Sequence, residues 1–314
     1  GGLMHPLARQ SGEIDDGTEA RDLGQSPAEI IVLSAADTEL ALVADANRRR
    51  LARGIGPSLR LANLLALKHN YSVDLYVEKT LAEARIVVVR LLGGRSYWPY
   101  GIERLTALAS TGTFQLVVLP GDDRPDASVA DLSTVDAAFA VRLWSYLVEG
   151  GPDNADRFLA TLEARLAGTG LPAPAQSLPR SGCYGAPPRP AGRPVAGLVF
   201  YRALMQSGDL AAIDALVAGL EDHGFAVVPL YVASLRDEQS AATVRRYMGE
   251  FPPAIILNTT AFATTRPGAV ADGGVLAAYG VPVLQVVLAS DSEEGWHGGT
   301  RGLSARDIAM HVAL

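Results

Sequence analysis

Three features of the sequence predict a doubly wound α/β fold built twice in one chain. Short β-branched runs recur, each followed by an amphipathic segment, which is the alternation of strand and helix that produces parallel sheets. Several runs are apolar at every position, as strands buried on both faces of such a sheet are. The alternation stops at Thr169–Pro194, where seven prolines and four glycines leave no apolar period, and then starts again. The expected divisions are a cloning scar and polar arm over residues 1–26, a first α/β domain over 27–168, a Pro-rich strap over 169–194 and a second α/β domain over 195–314.

The first elements follow in order. Gly1–Leu3 read as a scar ahead of Met4, and the polar segment to Ser26 as an arm that lies on the surface or is disordered. Ile30–Leu33 is a strand. Asp37 is placed to cap a helix from about Thr38 to Arg53. Arg48, Arg49, Arg50 and Arg53 suit the negative end of that helix, and a grip on a carboxylate-rich ligand is the other reading. Leu59, Leu61, Leu64, Leu65 and Leu67 fit one face of a helix or a buried strand equally well. Ser72–Ala84 reads as a helix with Leu75, Val77 and Leu81 inward.

Arg85–Gly101, RIVVVRLLGGRSYWPYG, is the stretch around which the rest makes sense. A buried strand runs into Gly93 and Gly94, which permit positive φ and close approach of a ligand. Arg90 lies late in the strand, and Arg95, Tyr97, Trp98 and Tyr100 follow the glycines. In an open α/β sheet ligands bind beyond the carboxyl ends of the strands, so these five residues are candidate binding groups. The other reading is that the aromatics plug the end of the sheet. A helix over Tyr100–Ser110 and a strand over Phe114–Leu119 follow, ending in Gly121-Asp122-Asp123, which reads as a turn before it reads as a cation site. Helices over Ser133–Glu149 and Asp153–Ala167 complete the domain.

In the second domain, strands over Val195–Tyr201, Phe225–Leu230, Ala254–Leu257 and Val281–Val287 enclose helices over Gly208–His223 and Glu238–Gly249. Both domains thus read as flavodoxin/Rossmann-like. Polar loops at three strand ends are expected to converge on one crevice. They carry Arg202, Gln206 and Ser207; Thr259; and Trp296 with His297. The final apolar stretch, residues 305–314, reads as an uncapped helix in a chain that is a piece of something longer.

Composition excludes several classes. The net charge of −7 argues against a general nucleic-acid binder. The single cysteine, Cys183, leaves no internal disulfide and suits a reducing cytoplasm. No apolar run reaches the roughly 18 residues that span a bilayer. No phosphate loop, dinucleotide fingerprint, HExxH or GxSxG is present. No metal ligand set is predicted, because His297, the one histidine on a predicted ligand edge, has no partner at a fixed nearby spacing.

The key turn, the segment YRALMQSGD and the pair GVPVLQVVLASDSEEGW and GLSARDIAMHVAL resemble the large subunits of the ATP-dependent cobaltochelatases of aerobic cobalamin synthesis, over nearly the whole chain. The magnesium chelatase large subunits are similar more weakly, mainly in the second domain. The resemblance implies a subunit that binds hydrogenobyrinic acid a,c-diamide and takes Co2+ as substrate. It implies two smaller AAA+-type partner subunits that use ATP and Mg2+, and no cofactor held tightly by this stretch. A porphyrin-binding subunit of the magnesium type and a non-catalytic docking head are the alternatives. An autonomous nucleotide binder is disfavoured by the missing glycine after the first strand.

Overall fold

The computed structural model describes residues 19–54, 56–260, 274–289 and 293–298. The chain divides into two compact units, residues 1–176 and 177–314.

The first unit holds β1 (Ile30–Ser34), α1 (Asp37–Arg53), β2 (Leu59–Asn63), α2 (Asn70–Lys79), β3 (Ile86–Leu91), α3 (Pro99–Ser110), β4 (Gln115–Pro120), α4 (Ala127–Ala130), α5 (Ala137–Glu149) and α6 (Pro152–Ala167). The sheet order is β2-β1-β3-β4, and every pairing is parallel. Period-two alternation sends successive strand residues to opposite faces. Ile31, Leu33, Val87, Val89, Leu116 and Val118 therefore pack with α2 and α3, whereas Ile30, Val32, Ile86, Val88, Val117 and Leu119 pack with α1, α5 and α6. Burial on both faces explains why these strand positions are all apolar.

The second unit holds β5 (Ser181–Cys183), β6 (Val195–Tyr201), α7 (Arg202–Ser207), α8 (Ala211–Asp222), β7 (Ala226–Val232), α9 (Glu238–Glu250), β8 (Ile255–Asn258), α10 (Gly274–Ala277), β9 (Val283–Gln285) and α11 (Glu293–Gly298). Its order is β5-β7-β6-β8-β9. Without β5 this is the order of the first sheet again, with all pairs parallel.

Several elements differ from expectation. Asp37 does not cap α1; it is the first helical residue, Ala36 is the N-cap, and the Asp37 carboxylate accepts instead from Asn63 Nδ2 at 2.7 Å. Residues 59–67 form β2 and then a 3-10 turn over Leu64–Leu67. The inward face of α2 is led by Val73 and Tyr76, with the expected Val77 partly buried against the same core and Leu81 buried just past the helix; Leu75 is only half-buried. Tyr76 can be buried there because its hydroxyl donates to Gln25 Oε1 at 2.9 Å. Gln25 itself lies against this unit: its carbonyl also accepts from Thr80 Oγ1 and its amide donates to Leu61 O.

The strap is not a free linker throughout. Pro172 O and Ala173 O accept from Arg142 and Tyr146 in the first unit, and Asn154 exchanges two hydrogen bonds with Gln176. Its later part supplies β5, which pairs antiparallel with β7 and makes the second sheet mixed rather than wholly parallel. The segment 202–209, expected as a loop, is the short helix α7 closed by Gly208 at φ 69°, so α8 begins only at Ala211. The strand expected over Val281–Val287 is limited to β9. The helix expected over 305–314 lies outside the described residues.

Candidate functional site

In the order β2-β1-β3-β4 the chain first moves to one side of β1 and then to the other, so the switch point lies between β1 and β3. At its carboxyl edge three turns meet: 34–37 after β1, 92–98 after β3 and 121–126 after β4.

Arg90 joins them from beneath. Its Nε stands 3.1 Å from Glu39 Oε1, in the first turn of α1, and its Nη2 donates to Gly121 O at 3.1 Å. Ser34 Oγ, at the end of β1, donates to the other Glu39 oxygen at 2.7 Å. Both charged side chains are nearly buried, at 9% exposure for Arg90 and 14% for Glu39. Burial pushes the Glu39 carboxyl up from its ordinary value, against the pull of Arg90 and the Ser34 hydrogen bond. Burial likewise pushes Arg90 down, opposed by Glu39 and by the field of Asp122. A guanidinium retains its charge at neutral pH through such a shift. Arg90 Nη1 is buried and has no hydrogen-bond partner.

Above Arg90 the glycine turn is open to solvent. Gly93 and Gly94 adopt φ of 85° and 77°, backbone that side-chain-bearing residues rarely take. Leu92, Arg95 and Tyr97 are exposed. Gly121 packs backbone to backbone against this turn: its N–H donates to Leu91 O at 2.7 Å, and a Cβ there would lie 2.5 Å from Leu92 Cα.

The other aromatics of the segment work internally. Trp98 is 4% exposed, its indole donates to Leu67 O at 2.8 Å, and Gly101 lies directly under the ring. Its ring faces are therefore turned to the core and not to the edge. Tyr100 donates to the Asp74 carboxylate, which Arg104 also holds at 2.9 Å, tying α2 to α3. The acidic turn after β4 behaves as a turn. Asp126 caps α4, Asp122 accepts from Arg124 N, and no cluster of three metal-ligating side chains occurs among the described residues.

In the second unit most of the candidates are engaged locally. Arg202 donates to Leu178 O and Pro179 O and to Gln206 Oε1, which fastens the strap to α7. Ser207 Oγ donates to Leu204 O. Thr259 is buried and donates to Val199 O at 2.9 Å. Trp296 and His297 lie exposed on α11, with His297 3.7 Å from Glu293. Among the described residues no hydrogen bond or ion pair joins them to Arg202 or Thr259.

Two hollows, of about 270 Å3 beside Arg50 and Glu163 and about 420 Å3 beside Arg85 and Arg165, open at the amino-terminal edge of the first sheet. The cations that line them are already engaged: Arg50 with Glu163 at 2.5 Å, Arg85 with Glu29 and Arg165 with Asp136. The arginine run of α1 binds α6 in the same manner, through Arg49 and Asp156 at 2.9 Å. The carboxyl edge, with Arg95 exposed at its glycine turn, is the better candidate site.

Reading the sequence singled out Arg90 but missed Glu39 and Ser34. The available signal was position: a serine closing the first strand and an acid in the first turn of the next helix both belong at the switch point.

The fold and this edge define the class, an α/β protein of flavodoxin-like topology with its polar groups gathered at the carboxyl ends of the first sheet. Residues 144–314 match the model of the CobN/Magnesium Chelatase family, and the chain belongs to that family. The aerobic cobaltochelatase subunit CobN of Sinorhizobium sp is 44% identical over 330 residues, covering 99% of this chain and 26% of that protein. Its counterpart in Pseudomonas aeruginosa is 39% identical over 329 residues, with the same coverage. Among solved structures, the catalytic subunit of cobaltochelatase from Mycobacterium tuberculosis superposes with a TM-score of 0.69 at 30% identity, over 91% of this chain and 23% of that one. The chain thus spans about a quarter of the length of the curated relatives it matches. No helix among the described residues is long and apolar enough to cross a membrane.

Proposed function

We propose that this chain is the N-terminal part of a cytoplasmic cobaltochelatase large subunit, and that the carboxyl edge of its first sheet helps hold hydrogenobyrinic acid a,c-diamide while Co2+ is inserted. The observation that carries this reading is identity of 44% across 99% of the chain to a protein named as an aerobic cobaltochelatase subunit. The geometry agrees with it. A corrin precursor is a broad apolar ring with acid and amide arms, and the glycine turn offers an exposed leucine, tyrosine and arginine, Leu92, Tyr97 and Arg95, at the ligand edge. Insertion requires the ring nitrogens to lose protons and the metal to shed water. In this reading, as the family resemblance implies, ATP and Mg2+ are used by two smaller AAA+-type partner subunits.

A docking head that binds no corrin is the second reading. It is favoured by the internal engagement of Trp98, Tyr100, Arg202 and Thr259. Titrating the full-length subunit with the precursor and following absorbance separates the two. Arg95→Ala is expected to weaken binding by about one to two decades at an unchanged melting temperature, the worth of a charge-assisted hydrogen bond. Unchanged affinity in a folded variant would remove the ligand from this turn.

A further inference from the structure

Each of the two sheets has two edges, and an unpaired strand edge is a template for another strand. Three of the four are closed by identifiable groups. On β2 the outward carbonyls Leu59 O and Leu61 O accept from the Arg60 guanidinium and the Gln25 amide. On β4 the outward amides of Leu116 and Val118 donate to Thr134 Oγ1 and Ser133 Oγ, both at 2.8 Å. Beyond β7 the second sheet ends in the antiparallel β5, whose three residues are all half-buried. The fourth edge is β9, which has no neighbour on its outer side among the described residues.

The faces of β9 are as open as its edge. Pro282 O and Val286 N bond to β8, so by the alternation of a parallel ladder the N–H and C=O groups of Val283 and Gln285 point away from it. The side chains of Val283 and Leu284 go to opposite faces and are 40% and 50% exposed, whereas Leu116–Leu119 of β4 are at most 1% exposed. A strand of Val-Leu-Gln carries no charge to repel a neighbour. Open backbone groups and an apolar residue on each face call for a strand beside β9 and a layer over it.

We propose that β9 is an interior strand in the full-length subunit, and that a segment of the same subunit following residue 314 pairs parallel with its outer edge. Two observations choose this occupant. The chain spans about a quarter of the length of the relatives it matches, so the subunit has ample polypeptide to supply the strand. In both sheets the strands on this side are added outward in chain order, β1, β3, β4 and β6, β8, β9, so the next strand in sequence falls beyond β9. The chain also runs on past β9 for more than the dozen residues that a parallel crossover needs. A second copy fits less well, because a three-residue edge is small against the roughly 800 Å2 that each partner of a stable dimer buries. The inference does not depend on the corrin reading of the first sheet.

Amide hydrogen exchange on the 314-residue chain and on the full-length subunit tests it. The amides of Leu284 and Val286 face β8 and should be protected in both. Those of Val283 and Gln285 should exchange quickly in the 314-residue chain and about a hundredfold or more slowly in the full-length subunit. Fast exchange in both overturns the proposal. Slow exchange already present in the monomeric 314-residue chain overturns it too, because the cover then lies within these residues. Protection that appears only as the 314-residue chain dimerises assigns the edge to a second copy, and protection of the full-length subunit only after partner subunits are added assigns it to them; either result overturns the proposal. A second readout is the rate at which a maleimide labels Leu284→Cys, followed on its own peptide by mass spectrometry. Labelling should be at least about tenfold slower in the full-length subunit, and equal rates overturn the proposal. Should Leu284→Cys not fold, the exchange measurement on the unaltered sequence decides alone.

Discussion

Removing Arg90 alone leaves the Glu39 carboxylate buried with only a serine hydroxyl for company. Arg90→Met should therefore cost about 3 to 5 kcal/mol in a denaturant titration, while the double variant with Glu39→Leu should recover most of it. The pair also sets a pH dependence. The folded pKa of Glu39 lies above its unfolded value, so the native state binds the extra proton. Its contribution to stability is complete below the ordinary carboxylate range and is lost as pH rises through the raised value. Glu39→Gln should abolish that decline, which unfolding curves across the acid to neutral range would detect. Asp136 and Asp237 act in the opposite sense. Hydrogen bonds hold their carboxyls below the usual range, first from Phe139 N and from Ser240 Oγ respectively, so stability is lost as pH falls. Trp98→Ala should destabilise by about 3 to 5 kcal/mol, since it empties a core position and leaves Leu67 O unpaired. Of the residues in the key turn, sequence separated none of these roles. An aromatic after a diglycine reads alike whether its ring meets solvent or core, and only Gly101 beneath the indole decides.

At the scale of elements, the carboxyl edge depends on how closely the turns after β3 and β4 approach. Gly121→Ala would place a methyl 2.5 Å from Leu92 Cα and 2.6 Å from Leu92 N, backbone atoms that cannot swing aside. The variant should lose the Gly121 N–H to Leu91 O bond, seen as faster amide exchange at both turns, and should weaken corrin binding along with stability. The strands themselves were legible. Ile86–Val89 and Val195–Phe200 are buried on both faces, and a run buried on both faces reads as continuously apolar. Helix phases were less so. α2 turned on Tyr76, whose hydroxyl is satisfied by Gln25, a residue 51 positions away. The break between α7 and α8 at Gly208 was hidden because a glycine beside polar residues marks a loop as readily as a helix end.

For the whole molecule, the strap carries the main lesson. Tyr184 donates to Asp214 at 2.9 Å and meets Phe200 edge-on at 6.1 Å, while Arg202 holds Leu178 O and Pro179 O. These contacts make residues 177–194 part of the second unit. A chain of residues 177–314 should accordingly unfold at a higher temperature than one of residues 195–314, which would expose the β7 edge; equal melting temperatures would count against it. By itself the sequence determined the α/β class, the repetition of strand and helix and the stretch around Arg90, because local periodicity and turn chemistry are written in neighbouring residues. The antiparallel edge strand, the core placement of Trp98 and the pairing of Ser34, Glu39 and Arg90 were decided only by the tertiary structure. Each depends on partners far apart in the chain, and what a buried polar group or ring costs is settled by whichever group folding brings beside it.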